Sequence, residues 1–315
     1  MIDKIWDIAI IGSGPAGLTA GIYAARARMS ALIIDKVGPG GQLGLAEHIE
    51  NYPGVKENVK SVELIQNMFE QAKRSGAEFA TDEITGLSVS KDNKEINIQA
   101  AKKTYRALSV IIAAGASPQR LGVPGEGRLT GKGVSYCAIC DAMFFKDKNV
   151  VVVGGGDSAI EEALFLTKFC KKVTLIHRRD RLRAVKILQE QIFARKDKVD
   201  ILWKSTIKEI IGKIKVEAVR VENVDTKETK DIPIDGVFVF VGYKPNSVFL
   251  KDFVKTDDAG FIITGENMQT SVKGVFACGD IRKNILKQVV VACGEGAVAS
   301  FAAQKYVEEI KGMAY

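Results

Sequence analysis

Two stretches of the chain share one order of apolar and polar segments. In each, a continuous apolar run leads directly into a glycine-rich turn, a helix-favouring segment and a second apolar run. Short continuous apolar runs are typical of strands buried in a parallel sheet. The pattern therefore predicts two copies of a strand–turn–helix–strand unit. The predicted strands cover 7–11, 31–34, 149–153 and 173–176, and the predicted helices cover 18–28 and 160–170.

The glycine turns have the spacing of a dinucleotide-binding motif. They read Gly12-Ser13-Gly14-Pro15-Ala16-Gly17 and Gly154-Gly155-Gly156-Asp157-Ser158-Ala159. The first glycine allows the tight turn, the second lets the backbone approach a pyrophosphate, and the third position must be small for helix packing. An ordinary glycine turn is the alternative, but a strand and a helix flank the motif twice, which favours nucleotide binding. The predicted nucleotide contacts are Gly12, Ser13, Gly14, Pro15, Ala16 and Gly17 in the first copy, and Gly154, Gly156, Asp157, Ser158 and Ala159 in the second.

The two copies differ where a ribose would be recognised. Asp35, 23 positions after Gly12, can accept hydrogen bonds from ribose hydroxyls of FAD or NAD. The equivalent position in the second copy opens the run His177-Arg178-Arg179-Asp180-Arg181-Leu182-Arg183. Guanidinium groups match a 2′-phosphate, which predicts NADPH, although a solvated basic loop is the alternative. The predicted contacts here are His177, Arg178, Arg179 and Arg183, with Arg181 expected on the surface.

Further turns in the chain can complete a flavin site. Gly40-Gly41-Gln42-Leu43 follows the second strand, and a turn at 50–54 follows it. Apolar strands are predicted at 109–113 and within 274–280, and a closing helix at 289–308. Each turn taken alone is equally well explained as ordinary turn chemistry. The predicted FAD contacts are Gly41, Gln42, Leu43, Asn51, Ala114, Gly115, Gly279 and Asp280, in addition to Asp35.

Cys137 and Cys140 form the chemical centre predicted from the sequence. Two cysteines separated by two residues can close a small reducible disulfide, and a helix starting there would stabilise a thiolate. Asp141 directly follows and is the candidate general acid and base. A zinc site would need a second ligand pair, which the chain does not offer near these residues, so no metal is predicted. Cys170, Cys278 and Cys293 are expected to be buried packing residues.

Composition narrows the class of protein and agrees with a nucleotide-binding protein that has a redox-active cysteine pair. The chain has 315 residues, 46% hydrophobic and 26% charged, which suits two globular domains. The net charge of +7 is scattered and favours anionic cofactors and an acidic partner over nucleic acid. No leader or membrane-length apolar run is apparent, so a soluble, cytoplasmic protein is expected. Five cysteines without a framework spacing exclude a disulfide-rich secreted domain.

Taken together, these motifs resemble the low-molecular-weight thioredoxin reductases. The likeness runs from Asp7 to about Tyr306. It implies an α/β fold of two Rossmann-like FAD/NAD(P)-binding domains, each a three-layer ββα arrangement, with the second inserted into the first. The implied FAD-binding domain covers 1–119 and 246–315, and the implied NADPH-binding domain covers 120–245. The family pattern adds Lys287, Gln288 and Val289 as FAD contacts.

The resemblance also implies a reaction. A hydride passes from NADPH to FAD, and the reduced flavin reduces the Cys137–Cys140 disulfide. Cys140 then faces the flavin, Cys137 attacks the disulfide of thioredoxin, and Asp141 moves the protons. The domains rotate between two orientations during turnover, and the enzyme is a homodimer. Met143 and Phe144 either touch thioredoxin or pack their own helix.

Departures from the family pattern leave the reaction intact. Ile139 and Ala114 each stand where threonine is frequent, and Lys287 stands where arginine is usual. The same-fold alternatives are a ferredoxin-fed flavin thioredoxin reductase and a reductase of a peroxiredoxin system. A flavin-binding redox sensor without turnover is the alternative from a different class. The intact arginine motif and the cysteine pair favour NADPH-driven thioredoxin reduction.

Overall fold

The protein is described by a computed structural model that covers residues 4–45, 48–49, 52–56, 59–92 and 94–313. The chain divides into two compact units, here called unit 1 (1–117 with 244–315) and unit 2 (118–243). The chain crosses between the units at 117–118 and at 243–244, close to the domain bounds 119–120 and 245–246 that the resemblance implies. Which cofactor each unit binds stays a prediction.

Unit 1 opens with the first predicted strand–turn–helix–strand motif, and an antiparallel pair of strands, β6 and β7, follows later in the chain. Up to the first crossing, the elements are β1 (Ile5–Ile11), α1 (Pro15–Arg26), β2 (Ala31–Asp35), a 3-10 turn (Gly41–Leu45), β3 (His48–Ile49), β4 (Val59–Lys60), α2 (Ser61–Ser75), β5 (Glu78–Thr81), β6 (Ile84–Val89), β7 (Ile96–Ala100), β8 (Thr104–Ile112) and β9 (Ala116–Pro118).

Unit 2 contains the second motif and the cysteine pair. Its elements are α3 (Glu126–Leu129), β10 (Val134–Ser135), α4 (Ala138–Asp141), a 3-10 turn (Ala142–Phe145), β11 (Asn149–Val153), α5 (Asp157–Leu166), β12 (Lys172–Ile176), α6 (Lys186–Ala194), β13 (Val199–Leu202), β14 (Ser205–Ile211), β15 (Ala218–Asn223), β16 (Thr229–Pro233) and β17 (Gly236–Val239).

The chain then returns to unit 1. The remaining elements are β18 (Tyr243–Pro245), a 3-10 turn (Val248–Leu250), β19 (Val275–Ala277), a 3-10 turn (Gly279–Ile281) and α7 (Val289–Ile310). β18 pairs with β9, so the outgoing and returning segments form a short ribbon.

The sheet of unit 1 is parallel at its centre. Strands follow the order β5-β2-β1-β8, while β7 pairs antiparallel with the first half of β8 and β19 pairs parallel with its second half. Side chains of β1 alternate between the two faces, because successive residues of a strand point in opposite directions. Ile8 and Ile10 pack against α1, α2 and α7, whereas Ala9 and Ile11 pack against the β6–β7 hairpin side. The unit is therefore layered as helices, parallel sheet and antiparallel strands.

Unit 2 repeats this plan. Its parallel sheet has the order β10-β17-β11-β12-β13, and the antiparallel strands β14, β15 and β16 form the outer layer. The face of Val150 and Val152 packs against α5, and the opposite face packs against residues such as Val219. The equivalence extends to single hydrogen bonds. Gly12 N–H donates to Ile34 (2.8 Å), and Gly154 N–H donates to Ile176 (3.1 Å).

Two helices of the structure, α1 and α5, have ends that differ from those predicted. α1 begins three residues earlier than predicted, because Pro15 suits the first helical position. α5 ends at Leu166, before the predicted Cys170. The hydroxyl of Thr167 donates to the carbonyl of Leu164 (2.7 Å) and so competes with the backbone donors that would extend the helix. α7 spans the predicted closing helix. Among the described residues, no helix combines the length and apolar character needed to cross a membrane.

Candidate active site

The first glycine turn is packed too closely for side chains at two of its three glycines. Gly12 has φ of +108°, and a Cβ added there would collide with the carbonyl oxygen of Ala113. A Cβ on Gly17 would collide with the carbonyl of Gly12. At Gly14, which caps α1, no described atom lies within 4 Å of an added Cβ. This open backbone at a helix N-terminus fits the pyrophosphate of a dinucleotide.

The other segments predicted to hold a flavin meet at this turn. An added Cβ on Gly41 would lie 3.3 Å from the Cα of Gly14. The N–H of Gly40 donates to the carbonyl of Ser13 (3.1 Å). A Cβ on Gly279 would lie 2.9 Å from the Cβ of Ala16. The structure thus brings the turns at 40–43, 113–115 and 279–280 to the first dinucleotide motif within unit 1.

Asp35 is more fully occupied than the sequence predicts. Its Oδ2 accepts from the N–H (2.7 Å) and the hydroxyl (2.8 Å) of Ser13. Its Oδ1 accepts from the N–H groups of Val37 (2.9 Å) and Gly38 (3.0 Å). Two carboxylate oxygens offer about four acceptor positions, so the glycine turn and the loop after β2 together occupy the carboxylate. A ribose hydroxyl would have to replace one of these donors, and the rotatable Ser13 hydroxyl is the one able to turn away.

The remaining predicted FAD contacts occupy turns or helix ends of unit 1. Leu43 is buried and Gln42 is half-buried, whereas Gly41 is exposed. Gly115 has φ of +66°, and the carbonyl of Ala114 accepts from Asn246 Nδ2 (2.8 Å). Gln288 caps α7, and Val289 is its first residue. Asn51 lies outside the described residues.

A buried ion pair that the sequence analysis missed supports the Gly279–Asp280 turn. Glu295, on α7, accepts from the N–H of Gly279 (2.8 Å) and pairs with Arg282 (2.5 Å). The detectable signal is that Glu295 is the one charged residue in the apolar run 289–304. Such a residue needs a partner, because burying an isolated carboxylate is costly. The pair therefore fixes the backbone that presents Asp280.

Lys287 closes the same turn from its other end. Its Nζ donates to the carbonyl of Asp280 (2.8 Å) and to Oδ1 of Asn284 (3.2 Å). It also lies 4.2 Å from the ring centroid of Phe261. Burial lowers the pKa of Lys287, and the nearby Asp280 opposes this shift. Lysine at this position therefore binds its own loop in this structure.

The second glycine turn is packed around a buried histidine. A Cβ on Gly155 would collide with the imidazole of His177, which is only 6% exposed. The Nε2 atom of His177 is buried and has no hydrogen-bond partner among the described residues. His177 was predicted to contact NADPH. Its ring lies against Gly155, in the space that a side chain there would occupy, and its contact with NADPH stays a prediction.

Burial of His177 predicts a pH dependence of stability. Burial lowers its pKa below the ordinary 6.5, a hydrogen bond to the Arg181 backbone opposes this, and nearby Arg183 lowers it further. The unfolded chain binds this proton more tightly, so the contribution of His177 to stability is complete above pH 6.5 and is lost as the pH falls below that value. The protection factors of the β11 amides, which compare the observed exchange rate with the intrinsic rate at each pH, should fall between about pH 7 and about pH 5.5 in the wild type and fall less in His177→Phe. His48→Gln is the matched control, and an equal pH slope in wild type and His177→Phe would contradict the assignment.

The arginines after β12 are free to bind an anion. Arg178, Arg179 and Arg183 are exposed. Within the part of the chain that the structure describes, none of them forms an ion pair with a carboxylate. Three guanidinium groups without acidic partners fit a phosphate group. Arg181 is also exposed, at the position expected for a surface residue.

The arginine segment is held against the second glycine turn. The carbonyl of Gly155 accepts from the N–H of Arg183 (2.6 Å) and of Ala184 (3.2 Å). Asp157 Oδ1 accepts from the N–H of Val185 (2.7 Å). Asp157, predicted as a cofactor contact, therefore also positions the arginine segment. Ser158 beside it is exposed at the N-terminus of α5.

A cavity of about 240 Å³ opens in front of the second glycine turn. Its lining includes residues of the turn and the start of α5, the arginine segment, and three aromatic residues: Gly156, Asp157, Ser158, Ala159, Arg183, Tyr136, Phe240 and Tyr243. Pockets for whole drug-sized ligands measure roughly 300–1,000 Å³, so this cavity fits part of a dinucleotide, with the rest extending along the surface.

The redox pair lies at the start of a single helical turn. Cys137 is disulfide-bonded, and its N–H donates to the hydroxyl of Ser135 (3.1 Å). The helix that follows, α4, has four residues, and Cys140 is its third. The expected stabilisation of a thiolate by a helix dipole is therefore weak, because one turn aligns few peptide dipoles. Asp141 ends this helix and is half-buried; the side chain of Cys140 lies outside the described side chains.

The other cysteines are separate from this centre. Cys170, Cys278 and Cys293 are free and buried, as predicted. Burial raises the pKa of Cys170 to about 11, which keeps it a thiol. Among the described side chains, no group of three or more His, Cys, Asp or Glu is arranged to hold a metal ion.

Known proteins match the chain over nearly its whole length. The sequence profile described as "Pyridine nucleotide-disulphide oxidoreductase" matches residues 6–296. Thioredoxin reductase of Peptoclostridium acidaminophilum is 49% identical over 313 residues, 98% of each chain. That of Bacillus subtilis (strain 168) is 48% identical over 310 residues, 98% of this chain and 97% of the relative. The chain belongs to the low-molecular-weight thioredoxin reductases. Lactococcus lactis thioredoxin reductase (FR conformation) covers 96% of this chain and 99% of its own, with 42% identity and a TM-score of 0.87.

Membership of the thioredoxin reductase family confirms the resemblance drawn from the motifs and the predicted class of fold. Two Rossmann-like regions, one interrupting the other along the chain, are present as units 1 and 2. The disulfide at Cys137 lies in unit 2, which also contains the arginine segment. This is the arrangement expected of a thioredoxin reductase in which the disulfide and the pyridine-nucleotide motif share one part of the chain.

Proposed function

We propose that the chain is an NADPH-dependent thioredoxin-disulfide reductase that carries FAD. Unit 1 is the FAD-binding domain, and unit 2 is the NADPH-binding domain with the Cys137–Cys140 disulfide. The observation that carries the proposal is the disulfide at Cys137 in the same unit as a glycine turn flanked by three arginines that have no acidic partner among the described residues. When bound, FAD and NADPH supply the two-electron chemistry that reduces this disulfide.

The residues of unit 1 bind and orient the flavin nucleotide. The N–H groups at the start of α1, with the open backbone at Gly14, would hold the pyrophosphate. Asp280 is held in place by Lys287 at its own carbonyl and by Glu295 at the preceding residue. These contacts form a preorganised turn, so little order remains to be imposed when FAD binds.

The residues of unit 2 bind the pyridine nucleotide. The N-terminus of α5 receives the pyrophosphate, and Ser158 is exposed there to donate a hydrogen bond. Arg178, Arg179 and Arg183 bind the 2′-phosphate, while Asp157 and Gly155 hold their segment against the turn. The 2′-phosphate is the group that distinguishes NADPH from NADH, so these arginines determine the choice of cofactor.

The cysteine pair transfers reducing equivalents to thioredoxin by disulfide exchange. The Cys137 thiolate attacks one sulfur of the thioredoxin disulfide, and the other sulfur leaves as a thiolate. Cys140 then attacks the mixed disulfide, which restores the Cys137–Cys140 bond and releases reduced thioredoxin. Asp141 supplies the proton taken up by the leaving thiolate. Met143 (60% exposed) and Phe144 (71% exposed) follow the pair as an apolar contact for thioredoxin.

Anaerobic stopped-flow absorbance tests the proposal. Purified holoenzyme is mixed with NADPH, NADH or reduced ferredoxin, and oxidised thioredoxin is added afterwards. We expect NADPH alone to bleach the flavin rapidly and thioredoxin to restore its colour. Bleaching by reduced ferredoxin but not by NADPH would contradict the choice of donor, and a colourless protein that takes up no FAD would contradict the flavin assignment.

Gly14→Ala should separate cofactor binding from folding. The backbone of Gly14 has φ of −74°, which alanine adopts readily, and the added Cβ meets no described atom within 4 Å. The melting temperature of the apoprotein should therefore stay unchanged or rise slightly. The Kd for FAD should rise roughly tenfold or more, because the methyl group occupies the approach of the pyrophosphate. Gly127→Ala, with equal open space in unit 2, is the control. FAD titration of apoprotein measures the effect, and an unchanged Kd would remove Gly14 from the flavin site.

Three parts of the proposal rest on family resemblance and sequence. Thioredoxin as the partner, a homodimer and a cytoplasmic location are carried from there and stay predictions. Sedimentation of the purified holoenzyme measures the oligomeric state directly.

A further inference from the structure

A buried carboxylate in unit 2 has no part in the reaction described above. Glu126, the first residue of α3, is 2% exposed. Its Oε2 accepts from the N–H of Gly122 (2.8 Å), and its Oε1 accepts from the N–H of Leu121 (2.9 Å). Its Oε1 also accepts from the hydroxyl of Tyr136 (2.8 Å). A carboxylate this deeply buried must be hydrogen-bonded to be tolerated, and these three donors satisfy it.

Tyr136 connects this carboxylate with the cofactor cavity. Tyr136 lines the 240 Å³ cavity together with Gly156 and Arg183. It also directly precedes Cys137, whose backbone is held by Ser135. Burial is the main cause that raises the pKa of Tyr136 to about 12, and the hydrogen bond to Glu126 adds to it. The hydroxyl therefore stays protonated and donates to Glu126 at neutral pH.

We propose that Glu126 and Tyr136 form a positioning pair that holds the aromatic wall of the cavity in place for the pyridine dinucleotide. The inference rests on the proposed function, since it names residues that orient the ligand of that site. Glu126 does not touch the ligand; it acts through the ring of Tyr136.

The physical basis is preorganisation. A tyrosine ring at a cavity wall can turn about its side-chain torsions, and the dinucleotide then binds at the cost of fixing it. The hydroxyl tether, 2.8 Å from a carboxylate that two backbone N–H groups hold in place, fixes the ring before binding. Removing the hydroxyl leaves the ring and its apolar contacts, but the ring is then free to turn about its side-chain torsions. Affinity should therefore fall by a modest factor.

The chain offers a matched control for this loss. The hydroxyl of Tyr105, in unit 1, donates to Asp82 (3.2 Å), a carboxylate that is 3% exposed. Tyr136→Phe and Tyr105→Phe therefore remove the same chemical interaction, a tyrosine hydroxyl bonded to a buried carboxylate. Only the first lies beside the cavity. Both should lower the melting temperature, but only Tyr136→Phe should change dinucleotide binding.

Calorimetric titration of the oxidised holoenzyme with NADP⁺ tests the proposal without depending on turnover. We expect the Kd to rise roughly 5- to 10-fold in Tyr136→Phe and to stay at the wild-type value in Tyr105→Phe. Glu126→Leu, which removes both carboxylate oxygens, should raise the Kd by at least as much, and adding Tyr136→Phe to it should cause no further rise, because the hydroxyl tether is already lost.

Two results would overturn the inference. A Tyr136→Phe protein that binds NADP⁺ as tightly as the wild type would show that the tether positions nothing for the ligand. An equal loss of NADP⁺ affinity in Tyr136→Phe and Tyr105→Phe would show that the variants act through the general stability of the protein. Both are distinct from failure of the proposed function, in which the wild-type holoenzyme itself would bind no NADP⁺.

Discussion

Cys137→Ser should abolish thioredoxin reduction while leaving the flavin chemistry intact. Serine oxygen is a far weaker nucleophile than a thiolate and cannot form the mixed disulfide, so thioredoxin-dependent turnover should fall roughly 10³-fold or more. The variant should keep its yellow colour, because Cys137 belongs to unit 2, whereas the turns around Gly14 and Gly279, proposed to bind the flavin nucleotide, belong to unit 1. NADPH should still bleach the flavin. Stopped-flow absorbance and a thioredoxin-coupled assay measure the two steps separately.

Cys170→Ala is the matched control for this experiment. Cys170 lies in the same unit, is buried, and is a free thiol whose pKa is raised to about 11 by burial. Its loss should lower the melting temperature through a small cavity and leave the turnover number unchanged. Thioredoxin reduction that survives in Cys137→Ser would contradict the role of Cys137. An equal loss of turnover in Cys170→Ala would show that the assay reports on stability instead of chemistry.

The sequence predicted the duplicated motif because its signals are local. Each strand, glycine turn and helix lies within a short stretch, so periodicity and glycine spacing reveal it without knowledge of the fold. The ends of elements were less predictable. α5 stops early at Leu166, because the Thr167 hydroxyl competes for a backbone carbonyl, a contact that hydrophobic patterning does not register.

The supporting residues of the site were the hardest to foresee. Glu126 and Glu295 accept hydrogen bonds from chain segments that meet them only in the folded structure. Their sequence signal is an acid at a position that the fold buries, and burial itself depends on long-range packing. Asp35 shows the converse. Its place after β2 predicts a ribose contact. Its oxygens already accept from Ser13 of the glycine turn and from Val37 and Gly38 of the loop that follows it.

His177 shows how one position can serve two purposes in the duplicated units. It occupies the place in unit 2 that Asp35 occupies in unit 1. Asp35 holds its glycine turn by accepting the N–H of Ser13, whereas His177 packs beneath Gly155. Motif alignment predicted a nucleotide contact at this position, which stays a prediction, but not the packing of the ring against Gly155. The neighbouring arginines are the groups left exposed to an anion.

Replacing Arg178 and Arg179 together by alanine should change the cofactor preference. Charge-assisted hydrogen bonds contribute about 1.5–3 kcal/mol each, and each 1.4 kcal/mol is a tenfold change. The kcat/KM for NADPH should therefore fall by roughly 10²-fold or more, whereas the kcat/KM for NADH should change little, because NADH has no 2′-phosphate. Initial rates at varied NADPH and NADH concentrations, with saturating thioredoxin, measure the ratio.

Arg181→Ala is the control within the same segment, since Arg181 is exposed like its neighbours and carries the same charge. If the arginines act only through the general positive field, removing Arg181 should weaken NADPH binding as much as removing either neighbour, and high salt should mimic all three changes. If they recognise the phosphate by direct contact, Arg181→Ala should stay close to the wild type. Arg183→Ala should resemble the loss of Arg178 or Arg179, because its backbone is anchored to Gly155 and its side chain borders the cavity. Equal losses of NADPH and NADH activity in the double variant would show that these side chains do not read the 2′-phosphate.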